Sequence, residues 1–129
     1  MKSEQLCRVI FEDIYKTPFY KQKPQWLINP NTNKRLELDG ISLYYRVAFE
    51  YDGIQHHKYI PYFHKSYNTY KKQLFKDEIK NELCKKHNIF LIRIPYIYTY
   101  KHEKEMKQYI LNQHIWSPLL KLEYHIKTN

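Results

Sequence analysis

The run Leu36 to His57, LELDGISLYYRVAFEYDGIQHH, constrains this chain more than any other stretch. It holds four of the 13 acidic residues (Glu37, Asp39, Glu50 and Asp52) and both glycines, Gly40 and Gly53, each directly after an aspartate. Both halves read as strands. Side chains alternate faces along a strand, so Leu36 and Leu38 share one face while Glu37 and Asp39 share the other. In the second half Val47, Phe49 and Tyr51 fall on one face and Ala48, Glu50 and Asp52 on the opposite one. If the two strands pair as neighbours, up to four carboxylates converge on one patch of sheet. Like charges that close repel unless a cation or a proton intervenes. The chain carries 22 Lys and Arg and a net charge of +9, so the arrangement points to a metal site that meets phosphate.

That positive balance favours a polyanionic partner, most often nucleic acid, over the plain alternative of a generic basic protein. A hydrophobic content of 43% and an aromatic content of 17% argue for a packed core and against disorder. The length suits one domain over 1–129, with a core over about 3–96 and a C-terminal helical extension over 97–129. No apolar run approaches the roughly 18 residues of a membrane span, and the start MKSEQ lacks a signal-peptide apolar core. Cys7 and Cys84 sit in helical apolar patterns and read as buried thiols. The expectation is a cytoplasmic or other reducing intracellular setting, without a membrane partner.

The spacing predicts a first helix over 3–16, with Ser3 as N-cap and Leu6, Val9, Ile10 and Ile14 on its apolar face. Glu4 suits the first turn electrostatically, or points into the acidic patch. Tyr15 to Pro24 reads as a connection in which Lys16, Lys21 and Lys23 are interleaved with Phe19 and Tyr20. Such a segment fits a nucleic-acid surface, or a solvated loop with its rings tucked inward. Gln25 to Ile28 reads as a short strand and Asn29 to Lys34 as a turn cluster. After the two central strands, Gln55 to Asn68 is a His-, Tyr- and Lys-rich loop, taken as part of the site or its lid. A second helix runs from Ser66 or Asn68 to about His87, with Tyr70, Leu74, Ile79 and Leu83 on its apolar face. Lys72, Lys76 and Lys80 form a basic stripe at i, i+4 spacing, a solvated face or a phosphate track. Ile89 to Tyr96 is a strongly apolar strand, and a third helix covers Glu103 to His114, with Met106, Tyr109 and Ile110 buried. The class is α/β, a mixed sheet flanked by helices.

An aspartate at a strand end, with an acid on the next strand 11 residues later, resembles the PD-(D/E)XK nuclease superfamily. The run EYDGIQHH, followed by KDEIKNELCKKHNIFLIRIPY, is similar to its very-short-patch-repair branch and related small endonucleases. Matched positions are Glu50, Asp52-Gly53, His56, Asp77, Lys80 and Arg93. The resemblance implies a restriction-endonuclease-like α-β-β-β-α-β core with an extra C-terminal helix, and metal-dependent endonuclease activity on DNA. A catalytically inactive module that binds nucleic acid is the alternative. One departure stands out. The superfamily lysine would sit two residues after the acid, where this chain has Asp52, so Gln55 or His56 replaces it or catalysis is lost.

Phosphodiester hydrolysis needs a nucleophilic water, charge neutralisation on the phosphate and help for the leaving alkoxide. Mg²⁺, with Mn²⁺ as a substitute, takes oxygen ligands from one or two carboxylates, waters and phosphate. Asp39, Glu50 and the Tyr51 carbonyl supply that set, and Asp52 either joins a second metal or caps the Gly53 turn. His56 suits proton transfer, with Gln55 as the competing candidate. Glu4 and Glu37 fit a supporting layer. Lys23, Lys58, Lys72, Lys76, Lys80 and Arg93 are the candidate nucleic-acid contacts. Cys84-x-x-His87 has a spacing that zinc can use, against a simpler reading of His87 as a helix cap. The oligomeric state stays open, with a homodimer among the options.

If the lysine-rich surface binds phosphate, affinity for a DNA duplex falls steeply with salt through counterion release. Titrations by fluorescence anisotropy between low and physiological salt check this, and a flat dependence would remove nucleic acid as the principal partner.

Overall fold

The computed structural model describes residues 2–53, 59–60 and 66–114. Its first element, α1 (Ser3–Tyr15), buries Leu6, Cys7, Ile10, Phe11 and Tyr15. That stripe is turned from the expected one, since Val9 is 43% exposed while Phe11 is sealed. The aromatic residues at 11 and 15 outweigh Val9 in apolar area, so they set which face turns inward. Lys2 occupies the N-cap position and no side chain caps the helix. Ser3, expected there, instead accepts the Tyr100 N–H at 3.0 Å through its hydroxyl.

Four strands make the main sheet in the order β1 (Tyr20–Gln22), β4 (Leu38–Ser42), β5 (Val47–Asp52) and β6 (Phe90–Pro95). β1 and β5 both run antiparallel to β4, and β6 lies parallel to β5. The connection between the parallel pair carries α2 (Tyr67–Lys86), as a parallel crossover requires. The architecture is thus α/β, a mixed sheet with helices on both faces. The expected strand at Gln25 to Ile28 is corrected: the sheet's edge strand is β1, inside the segment read as a connection. β1 has no buried residue, so hydrophobic alternation could not reveal it. β2 (Ile28–Asn29) pairs with β3 (Lys34–Arg35) in a small separate ribbon instead.

Two apolar clusters cover the two faces of the sheet. On one side Val47 and Phe49 meet Leu6, Ile10 and Phe11 of α1. Met106 and Ile110 of α3 (Glu103–His114) join the same cluster, so this helix is built into the core. The Cys7 thiol lies 3.5 Å from the Met106 sulfur. On the other side Leu38, Ile41 and Ala48 pack with Leu27, Ile89 and Cys84 of α2. The alternation expected for β5, with Val47 and Phe49 opposite Ala48, is what separates the clusters. Both cysteines are buried and free, with thiols pushed up by desolvation to about 12 for Cys7 and about 11 for Cys84.

Helix α2 starts where expected, with the Ser66 hydroxyl accepting the Thr69 N–H at 3.2 Å. Its apolar stripe is weaker than anticipated. Cys84 is its buried residue, and Leu74 is 40% exposed. No helix among the described residues is long and apolar enough to cross a membrane.

Gly40 has a packing role that its position after Asp39 conceals. It faces Phe49 across the β4–β5 ladder, and a Cβ there would fall into the Phe49 ring, with its Cδ2 at 2.7 Å. That ring is itself fixed against Phe11, stacked at 4.8 Å between centroids. Gly40→Ala is expected to cost about 1–3 kcal/mol as an overpacking change. Urea unfolding measures it, and pairing the change with Phe49→Leu should recover part of the loss.

Candidate active site

Antiparallel pairing of β4 with β5 sets Gly40 opposite Phe49 and Ile41 opposite Ala48. One step further along the ladder, Asp39 and Glu50 come side by side. Their contacts are reciprocal: the Asp39 N–H donates to Glu50 Oε2 at 3.0 Å, and the Tyr51 N–H donates to Asp39 Oδ2 at 2.8 Å. Glu50 is only 4% exposed. A carboxylate that buried needs a cationic or hydrogen-bonding partner. Lys80 from α2 supplies it, ion-paired to Glu50 Oε1 with its own side chain 15% exposed. Burial and then the negative charge of Glu50 push the Asp39 carboxyl up to about 6, against a smaller opposing pull from the Tyr51 N–H and Lys80.

Asp52 belongs to a second, neighbouring network. It is 6% exposed, and its Oδ1 accepts from Arg93 of β6 at 2.9 Å. The same guanidinium donates to Asn81 Oδ1 at 2.8 Å and to the Asp77 carbonyl at 2.9 Å, with the Asp77 carboxylate 3.8 Å away. Arg93 therefore ties β5, β6 and α2 together. The reading of Asp52 as a metal ligand or turn cap changes accordingly, because its carboxylate is committed to Arg93. Arg93, expected at the nucleic-acid surface, is held inside the protein by the same contact.

A third group lies at the start of the chain. Glu4 pairs with Lys21 at 3.1 Å and with Arg8 at 3.8 Å, and Lys21 reaches Glu37 at 3.9 Å. Glu4 and Glu37, expected in a supporting layer, form a partly exposed ion cluster around Lys21, whose ammonium also feels the charge of Asp39. A hydrogen-bonded link to the site runs through Arg8. Its guanidinium donates to the Asp39 carbonyl and, at 3.1 Å, to the Phe19 carbonyl, and lies 5.6 Å from the Phe49 ring centroid. Neither Arg8 nor Asn81 was singled out by the sequence reading. Both lie on helices, and nothing in their spacing marks the strand atoms they reach.

Lys23, Lys72 and Lys76 are exposed as expected of phosphate contacts. Lys80, grouped with them by its spacing, turns inward instead. Gln55, His56 and Lys58 lie outside the described residues, as does most of the loop assigned to the site. At the end of α2, Cys84 is sealed in an apolar cluster. The His87 Nδ1 lies 3.1 Å from the Leu83 carbonyl, and its ring stacks on Trp26 at 4.4 Å. These positions match the helix-cap reading of His87.

Among the described residues, no group of three or more His, Cys, Asp or Glu side chains is placed to hold a metal ion. Asp39 and Glu50 form a set of two, enough for an ion such as Mg²⁺ that takes its remaining ligands from water and phosphate. Burial, with Glu50 alongside, raises the Asp39 carboxyl, and a cation held between the two carboxylates would offset both effects.

The described residues thus define an α/β protein with a carboxylate pair beside a half-buried lysine. The chain matches no protein-family model and no solved structure. It is similar in sequence to three viral proteins: Uncharacterized protein 307L of Invertebrate iridescent virus 6 is 36% identical, across 80% of this chain and 62% of its own length. Uncharacterized protein 094L of Frog virus 3 is 38% identical across 74% and 62%, and Uncharacterized protein 033L of Invertebrate iridescent virus 3 is 33% identical across 74% and 49%. The chain therefore spans between about half and just under two thirds of these relatives.

The Asp39 shift makes stability depend on pH in a defined sense. Below its ordinary value of 3.8 both folded and unfolded chains hold the proton. Between 3.8 and about 6 the folded chain keeps a proton that the unfolded chain releases, so this contribution to stability is lost as pH rises through that window. Asp39→Asn removes the cost of ionisation. In metal-free buffer it should raise stability by about 1–2 kcal/mol at pH 7.5, allowing for solvent screening, and by little at pH 4. Thermal melts of both proteins across pH 4–8 check the sign.

Proposed function

We propose that this protein is a metal-dependent endonuclease that hydrolyses phosphodiester bonds in DNA, built on a restriction-endonuclease-like core. The observation that carries the reading is the Asp39–Glu50 pair: two adjacent carboxylates at the ends of paired strands, one buried and the other with a raised pKa. A protein that merely bound a polyanion would gain by losing them, since carboxylates repel phosphate. The net charge of +9 and the exposed Lys23, Lys72 and Lys76 supply the attraction for the backbone.

Asp39 and Glu50 would hold Mg²⁺ or Mn²⁺, with the Tyr51 carbonyl as a third oxygen. Held by these groups, such an ion would supply polarisation of the phosphate and a lowered pKa for the attacking water. The Tyr51 N–H fixes one Asp39 oxygen and the Asp39 N–H fixes one Glu50 oxygen, so the two side chains are oriented before substrate arrives. Arg93 and Asp52 brace the same end of β5 against α2. His56 remains the proton-transfer candidate, with Gln55 as its competitor.

One observation favours the alternative of a non-cleaving nucleic-acid module. Glu50 and Asp52 are already neutralised by Lys80 and Arg93, so the fold balances these charges without a metal. Incubating the protein with plasmid DNA in Mg²⁺ or Mn²⁺ separates the two. Cleavage is expected, with loss of activity in EDTA, little hydrolysis in Ca²⁺, and loss in Asp39→Ala and Glu50→Ala proteins that still bind DNA at least as well. His56→Ala should slow cleavage roughly 10²- to 10⁴-fold, the scale of general acid–base help. Intact plasmid under every metal condition, beside salt-sensitive binding, would establish the non-cleaving module.

A further inference from the structure

Building on the metal-dependent reading, we propose that Lys80 is the resident counter-cation of the carboxylate pair and exchanges with the divalent metal at Glu50. The argument begins with the unequal way the two interior cations are held. Arg93 is fixed by three acceptors on two elements: Asp52 Oδ1, Asn81 Oδ1 and the Asp77 carbonyl. Lys80 is hydrogen-bonded to Glu50 Oε1 and, among the described residues, to nothing else. An ammonium has three donors on a flexible four-carbon stem, so this cation is anchored at one point and can leave.

Glu50 Oε1 is also the oxygen a metal would need. The other, Oε2, is engaged by the Asp39 N–H within the strand ladder and is not easily given up. Metal and ammonium thus compete for one atom. They cannot both neutralise it in full, and a buried carboxylate cannot go without either. Lys80 keeps Glu50 compensated while no metal is bound. On loading, the ammonium swings outward along α2, toward the side where Lys76 and Lys72 follow at i, i+4 spacing and stand exposed. There it meets the nonbridging phosphate oxygens of a bound strand. The cation that β5 lacks at position 52 is delivered by the neighbouring helix, and only when metal is present.

Two measurements without DNA decide this. Acetylation of the parent protein by an amine-reactive ester, read by mass spectrometry, reports how accessible each lysine is. Lys80 should react at least severalfold faster on saturation with Mn²⁺, while the exposed Lys72 and Lys76 serve as references and stay constant. Mn²⁺ binding by electron paramagnetic resonance should tighten roughly tenfold or more in Lys80→Gln, the scale of losing one charge-assisted competitor. Unchanged Lys80 labelling with Mn²⁺ bound, or a folded Lys80→Gln protein that binds Mn²⁺ no more tightly, overturns the exchange and leaves the metal site standing. Absence of Mn²⁺ binding in both proteins overturns the exchange and the metal-dependent reading together. If the variant does not fold, labelling of the parent protein decides alone.

Discussion

The buried carboxylate of Glu50 is the constraint on which the rest of this structure depends. A charge held at 4% exposure is tolerated only with partners arranged around it. Two partners touch it directly, the Asp39 amide on β4 and Lys80 on α2, while the Tyr51 amide, one residue along the strand, restrains Asp39 beside it. The register of β4 against β5 is therefore set by more than apolar matching. Slipping by one residue would turn Glu50 toward α1 and the aromatic cluster, away from Lys80.

Arg8 and Arg93 perform parallel tasks on opposite sides of the sheet. Arg8 joins α1 to the backbone of β4 and to the chain before β1, while passing over the Phe49 ring. Arg93 joins β6 to β5 and α2. Each replaces apolar packing where packing is thin. β1 buries nothing, and α2 buries little beyond Cys84. A planar, multiply donating guanidinium is well suited to hold backbone carbonyls and carboxylates from separate elements at once.

Much of this was legible in the residues. The alternation in Val47 to Asp52 correctly divided β5 between two faces, and the same alternation placed Asp39 and Glu50 together. Helix α3 and the capped start of α2 followed from apolar spacing and from Ser66. What could not be read was interaction at a distance. β1 carries no apolar alternation because it is an edge strand with every residue exposed. Lys80 shares its spacing with Lys72 and Lys76, and spacing alone cannot tell which lysine of a row faces a buried acid. Asp52 looked like a turn residue because it precedes Gly53. Its partner lies 41 positions away on another strand.

The separation of those partners along the chain has a consequence for how the protein comes together. The β4–β5 hairpin closes over a short turn at 43–46, so Asp39 and Glu50 are brought into proximity by a local event. Lys80 is 30 residues from Glu50, and reaches it only when the long crossover through α2 has docked. Closing distant contacts is the slower step in folding. Sequence separation alone favours the hairpin as the earlier contact, with its two acids side by side before Lys80 arrives. Docking of α2 relieves their repulsion, which makes the charge pair a lock that engages last and couples the completion of the site to the completion of the fold.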